Sequence, residues 1–362
     1  LRPKPELMNT DFPARSADPA DATDTRPLLI VPYNWIGDFV RGHTVVRVAK
    51  QRWPNRPVDI LVTPLCAPLV DYMPGVRRGI VHDLPRSRLA LDRQRRLAAQ
   101  LRAERYGTAL VMPRTWKSAL APALAGIPER VGFVGEVRFG LLNRWRWGER
   151  ALPRLIDKNA ILALPDEAAL PAQWPQPQLV VPPQEIAAWR QTTGLGTAPA
   201  IALAPGSVGA HKRWPFYAEA AQAFVADGYD VWVVGGPGEQ EAAAAIVAAA
   251  GPRAHDLTGT DLRQGILALA AARLAISNDS GLMHVAAAIG TPTIGVFGPT
   301  SPWHWAPLNP LAAAIQPASL RDTVMPYHSV AARDDDSYIR SIPVSDVVDT
   351  ARRVLANLAA AS

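Results

Sequence analysis

From residue 27 onward the apolar positions follow two rhythms. Compact runs at 27–31, 58–62 and 109–112 are short and continuous, as strands buried on both faces require. Between them apolar residues return at helical spacing: Val40, Val45, Val46, Val48 and Ala49 share one face, ending before Trp53-Pro54. A second helix over 67–73 is stopped by Pro74-Gly75, and a third over 116–125 is closed by Gly126. The stretch 86–105 predicts an arginine-rich amphipathic helix with Leu89, Leu97 and Leu101 on its apolar side. Strands and helices in alternation predict an open parallel sheet covered on both faces. The rhythm lapses at LPDEAALPAQWPQPQLVVPP, whose six prolines and missing helical period predict a linker or an extended crossover. It then restarts, with strands at 200–204, 230–234, 274–277 and 293–297. Helices are predicted at 215–227, 239–250, 267–272 and 281–289, with a terminal one at 344–358.

The expected organisation is therefore a disordered tail over 1–26, an α/β domain over 27–164 and a linker over 165–183. A second α/β domain follows over 184–343, then a terminal helical segment over 344–362 with the option of crossing back to the first domain. The first 26 residues lack the apolar stretch of a signal peptide. The apolar stretch 284–297 is broken by Gly290 and Pro292 and falls short of the roughly 18–20 residues that a membrane span needs. With 362 residues, 48% of them hydrophobic, and the single cysteine Cys66, the chain reads as two ordinary cores in a reducing compartment. Charge is divided unevenly. Residues 1–180 carry 27 Lys+Arg against 17 Asp+Glu, a net of +10, and residues 181–362 carry 11 against 15, a net of −4. A basic half suggests an anionic partner for that half, although arginine-decorated helices alone give the same count.

Four loops carry candidate chemistry. APGSVGAHKRWP (204–215) follows the second domain's first strand; Gly206 and Gly209 admit close backbone approach, and Ser207 and Lys212 suit a pyrophosphate at a helix start. It lacks a Walker pattern, and an ordinary strand-to-helix turn can carry the same residues. SNDSGLMH (277–284) turns from a strand into an apolar helix, so Asp279 or Ser280 suits the N-cap; the amides of Ser280 and Gly281 with His284 also suit an anion. GGPGE (235–239) resembles a dinucleotide turn but has Glu241 where a small residue is needed, which disfavours nicotinamide. Glu239 there suits either a ribose hydroxyl or solvent. Asp38, in WIGDFV after the first strand, suits either a helix cap or a general base facing a ligand on the second domain. No metal-ligand set, no serine-nucleophile elbow and no nucleic-acid motif is present, and Asp334-Asp335-Asp336 reads as a solvated charge run.

Together these loops resemble glycosyltransferase family nine, the lipopolysaccharide heptosyltransferases, over nearly the whole chain from Leu28. The most specific segments are SNDSGLMHVAAAIGTP (277–292) and GVFGPTSP (295–302), with APGSVGAHKRWP, WIGDFV and RTWKSALAPALAGIPERVGFVGEVRFGLLN (114–143), the last similar to type II members. The resemblance implies an α/β, GT-B architecture: two Rossmann-like domains whose parallel sheets face a central cleft, the first binding acceptor and the second ADP-sugar. It implies inverting transfer of heptose from ADP-L-glycero-D-manno-heptose to the first heptose of heptosyl-Kdo2-lipid A. Asp38 would be the catalytic base; Ser207, Lys212, Glu239, Asp279, Ser280, Gly281 and His284 would bind donor; Lys117, Arg138 and Arg144 would bind acceptor. No metal or other cofactor is implied, because cation and helix amides would stabilise the leaving ADP. Partners would be the lipid A-core acceptor and the anionic inner leaflet, with no nucleic acid, and the location cytoplasmic, peripheral to the inner membrane. Arg86, Arg88, Arg93, Arg95, Arg96 and the Arg144-Trp145-Arg146-Trp147 cluster are candidates for that surface. The alternatives are another family-nine transferase with a different core acceptor or nucleotide sugar, or a GT-B-like sugar-nucleotide epimerase.

Overall fold

Two all-parallel sheets with the same winding make up the framework of the computed structural model, which describes residues 24–85, 88–166, 168–321, 323 and 328–361. All but the end of the tail expected at 1–26, and Arg86, lie outside the described residues. The first sheet holds β1 (Leu28–Val31), β2 (Val58–Val62), β3 (Arg78–Val81), β4 (Thr108–Val111), β5 (Glu129–Phe133) and β6 (Arg144–Arg146) in the order β3-β2-β1-β4-β5-β6. The second holds β7 (Ala200–Ala204), β8 (Asp230–Val233), β9 (Ala254–Asp256), β10 (Leu274–Asn278), β11 (Thr293–Val296) and β12 (Ala313–Ile315) in the order β12-β11-β10-β7-β8-β9. Every residue of β1, β2, β4, β7 and β10 is buried, because helices cover both faces of each sheet. This is the GT-B architecture expected from the sequence.

Each sheet reverses direction beside its first strand: between β1 and β4, and between β7 and β10. Loops leaving the carboxyl ends of strands diverge at such a reversal and leave a crevice. The helix that follows β1 carries Asp38 in its first turn, and the loops after β7 and β10 carry Lys212 and Asp279, so the topology puts these residues at two crevices.

The domains meet along helix Ile36–Arg52 of the first and helix Gly281–Ile289 of the second. The approach is close because Gly281 has no side chain: a Cβ there would lie 2.8 Å from Ile36 Cβ. The proline-rich stretch is an extended crossover packed between the domains. Trp174 is buried and donates to Asp157 Oδ1 (2.6 Å), while Leu179 N–H donates to Ala288 O and Val180 N–H to Tyr72 O, both at 2.8 Å. The terminal helix does not cross back. Its Val347, Val348, Ala351 and Leu355 belong to the second domain's core with Phe224 and Ile294.

Candidate active site

Helix Ile36–Arg52 begins two residues before Asp38 with Trp35 at its N-cap, so Asp38 lies in the first turn and caps nothing. Its carboxylate is pushed up from the ordinary range, first by burial and then by the negative charge of Asp279, with Arg41 and Lys212 opposing. None of these influences is a hydrogen bond; Asp38 is held in a field rather than in a pair. A raised carboxylate that stays accessible suits proton abstraction from a hydroxyl.

Opposite it stand the loops of the second domain. Lys212 Nζ donates to Asp279 Oδ2 (2.6 Å), and Thr300 Oγ1 donates to the same oxygen (2.9 Å). Ser207 Oγ donates to the backbone oxygen of Asp279 (3.0 Å). Buried Asn278 ties the loops together, donating from Nδ2 to Pro205 O (2.6 Å) and accepting at Oδ1 from Trp214 N–H and Tyr217 OH, both 3.2 Å. Ser280 is the N-cap of helix Gly281–Ile289, its side chain 3.1 Å from Ser277 Oγ, so the first amides of that helix have no side-chain cap. Uncapped amides beside a lysine form an anion cradle. Through their ion pair, Asp279 aims Lys212.

His284 is buried, and its pKa is held well below the ordinary value by burial and then by the charges of Arg41 and Lys212. As a neutral ring it offers an anion one N–H rather than a charge. It also forms the contact between domains: a Cβ on Gly37 would come within 2.8 Å of His284 Cδ2. Glu239 accepts at Oε2 from Gly236 N–H (2.8 Å), and its side chain fills the space over Gly206, where a Cβ would meet it at 2.7 Å. It thus sits on the rim of the same loops.

Two acceptor residues expected from the sequence have other work. Arg138 is buried, and its guanidinium donates to the backbone oxygens of Phe133 and Pro113 (2.6 Å to the latter); burial lowers its pKa to about 10. With Phe133 O and Pro113 O as its partners, Arg138 is a strut of its loop, and Pro113 O also accepts from Ser118 Oγ (3.1 Å). Arg144 pairs with Glu129 (2.9 Å) and Asp166 (3.3 Å), beside Arg52 at the far end of helix Ile36–Arg52. At 1.5 Å per residue that end lies about 20 Å from Asp38. Lys117 lies in the first turn of helix Trp116–Leu124, which follows β4, the strand beside β1. Arg41, Asn278 and Thr300 are site residues that the pattern reading missed. Arg41 had one signal, its position three residues after Asp38 on the same helical face.

Two Rossmann-like domains that bring a poised carboxylate against a lysine-and-amide cradle define a sugar-nucleotide glycosyltransferase of the GT-B class. Comparison with known proteins narrows that class. The sequence pattern described as glycosyltransferase family 9 (heptosyltransferase) matches residues 94–323. Lipopolysaccharide heptosyltransferase 2 of Escherichia coli K12 is 33% identical over 323 residues, covering 85% of this chain and 91% of that protein. Lipooligosaccharide heptosyltransferase 2 of Haemophilus influenzae is 33% identical over 307 residues, covering 80% and 88%. The solved structure of E. coli ADP-heptose LPS heptosyltransferase II superposes with a TM-score of 0.81 at 31% identity, covering 91% of this chain and 99% of that one. The chain belongs to glycosyltransferase family 9.

Proposed function

We propose that this enzyme transfers heptose from ADP-L-glycero-D-manno-heptose to the first heptose of heptosyl-Kdo2-lipid A, with inversion. The observation that carries the reading is Asp38, raised and without a hydrogen-bond partner among the described residues, facing the Lys212–Asp279 pair across the domain junction. In one displacement an acceptor hydroxyl gives its proton to the Asp38 carboxylate while its oxygen bonds to the anomeric carbon. The bond from that carbon to the diphosphate breaks, and the electron pair leaves with ADP. Lys212 and the first amides of helix Gly281–Ile289 stabilise the added charge, so the reading assigns no step to a metal. Relatives at 33% identity over most of the chain are heptosyltransferases, which favours this over the epimerase alternative.

The same reading seats the first domain on an anionic leaflet through a surface, since no helix among the described residues is long and apolar enough to cross a membrane. The 134–148 excursion after β5 presents Val137 (87% exposed), Phe139, Trp145 and Trp147 (70% exposed). Val137 is held at φ 34°, unusual for a β-branched residue, next to the buried strut Arg138. Aromatic side chains of this kind favour the headgroup level.

The test is ADP release from ADP-heptose, with and without heptosyl-Kdo2-lipid A. Release that needs the acceptor is expected; ADP binding without acceptor-dependent release would overturn the assigned acceptor. For the surface, combined Phe139→Ser and Trp147→Ser should weaken co-sedimentation with phosphatidylglycerol vesicles by about tenfold or more, and unchanged sedimentation would remove it.

A further inference from the structure

Helix Ile36–Arg52 carries, three residues after the base, an arginine that is only 2% exposed. A buried guanidinium is costly unless it gains partners, and Arg41 draws a hydrogen bond and a ring contact from the opposite domain. Its Nη2 donates to His304 O (2.6 Å), and its guanidinium carbon lies 5.1 Å from the centre of the Trp305 ring. Both partners belong to the short helix Pro302–Trp305, which begins two residues after Thr300, the residue bonded to Asp279. A second arginine of the first domain, Arg154, lies 5.6 Å from the centre of the Trp303 ring on the same short helix. The donor-side cluster and the base are thus joined through one strap: Lys212, Asp279, Thr300, the 302–305 turn, Arg41, and the helix that bears Asp38.

We infer that Arg41 is a positioning residue: by gripping the 302–305 turn it closes the second domain over Asp38, and that grip holds it off the carboxylate it would otherwise pair with. An aspartate and an arginine three apart on a helix are natural partners when nothing else competes. With the domains apart, the His304 carbonyl and the Trp305 ring are gone, and Arg41 is left to cover the base. With the domains together, Arg41 acts on Asp38 only through space, and the carboxylate stays open to an acceptor hydroxyl. The base is uncovered only when the second domain is in place.

This rests on the transferase reading, and the test separates the two. The charged groups acting on Asp38 are Arg41 on its own helix and Lys212 and Asp279 from the second domain, with neutral His284 beside Gly37. Acceptor-dependent ADP release is followed against pH for the wild type, Arg41→Met, Arg41→Lys and Trp305→Ala, with ADP affinity as the check on folding. Arg41→Met removes a charge that favours the carboxylate, so the acid limb of kcat/KM moves to higher pH. Arg41→Lys keeps the limb near the wild-type position. Trp305→Ala releases Arg41 onto Asp38, so the limb moves to lower pH while kcat falls about tenfold or more. In hydrogen exchange, Arg41→Met and Trp305→Ala both speed exchange at 302–306, a readout independent of turnover. Opposite movements of the limb establish the device. Limbs that stay at the wild-type position in both variants, or exchange at 302–306 unchanged by Arg41→Met, would overturn it. Failure of the wild type to release ADP with acceptor would strike the transferase reading and leave the exchange arm to judge the strap.

Discussion

Lys212 and Asp279 show how one ion pair changes what a binding loop can do. A lone lysine beside a glycine-rich turn sweeps a wide volume, whereas here its ammonium is fixed at 2.6 Å from a carboxylate that also accepts from Thr300. The pair leaves two of the lysine's three donors for a diphosphate. Lys212→Ala should therefore weaken ADP binding by about tenfold or more, measured by titration calorimetry, because a charge-assisted contact of about 1.5–3 kcal/mol is lost. Unchanged affinity would remove Lys212 from the donor site. At this scale the sequence singled out Asp38, Lys212 and Asp279, and the structure brings the three together. It did not show the partners of Arg138 and Arg144, because an arginine's charge does not say whether it meets a ligand, a carbonyl or an acid. That choice depends on the 113–115 and 133 carbonyls around one and on Glu129 and Asp166 around the other, all set by tertiary packing.

Among the elements, helices Ile36–Arg52 and Gly281–Ile289 decide how closely the two crevices face each other. Gly281 and Gly37 are the contact points, and neither leaves room for a side chain. Gly281→Val should force the helices apart, lowering kcat about tenfold or more while the domain cores stay folded; crystallographic or scattering measurements would show the wider junction. Wild-type kcat in that variant would mean that the contact is not needed for turnover. The central strands and most long helices could be read from apolar runs and helical spacing, but helix Pro183–Thr193, which follows the proline-rich stretch, could not. The strands β3, β5, β6, β9 and β12 were not: Arg78, Arg130 and Arg144 interrupt three of them, and β6, β9 and β12 are three residues long. Of these, β3, β6, β9 and β12 are edge strands, which need only one apolar face and so look like loops, whereas β5 is internal and opens on Glu129-Arg130. Helix Leu155–Ala160 was missed for a related reason, because six residues are too few to display a period.

For the whole molecule, the crossover at 165–183 ties the two domains more tightly than its prolines alone suggested. His43 shows this: Gln178 N–H donates to its Nδ1 (3.0 Å), so its Nε2–H donates to Pro74 O (2.8 Å). The ring is fully buried, and burial pushes its pKa down from 6.5 to about 4. The unfolded chain then binds the extra proton first, so stability is fully present above pH 6.5 and is lost as pH falls toward 4, by on the order of 3 kcal/mol for this group. His43→Gln should flatten the fall in melting temperature between pH 7 and pH 5, and an unchanged slope would contradict the assignment. Composition had divided the charge between the halves, but it could not show that the junction is a packed one, because the contacts of Trp174, Leu179 and Val180 join positions far apart in the chain. In the proposed reading the junction places chemistry on one domain and donor binding on the other. That division is tested most directly by single-turnover ADP release with Asp38→Ala in the presence of heptosyl-Kdo2-lipid A. Release should fall by roughly 10²–10⁴-fold while ADP affinity stays within about twofold of wild type. Near-normal release by Asp38→Ala, or a loss of ADP affinity that matches the loss of rate, would contradict it.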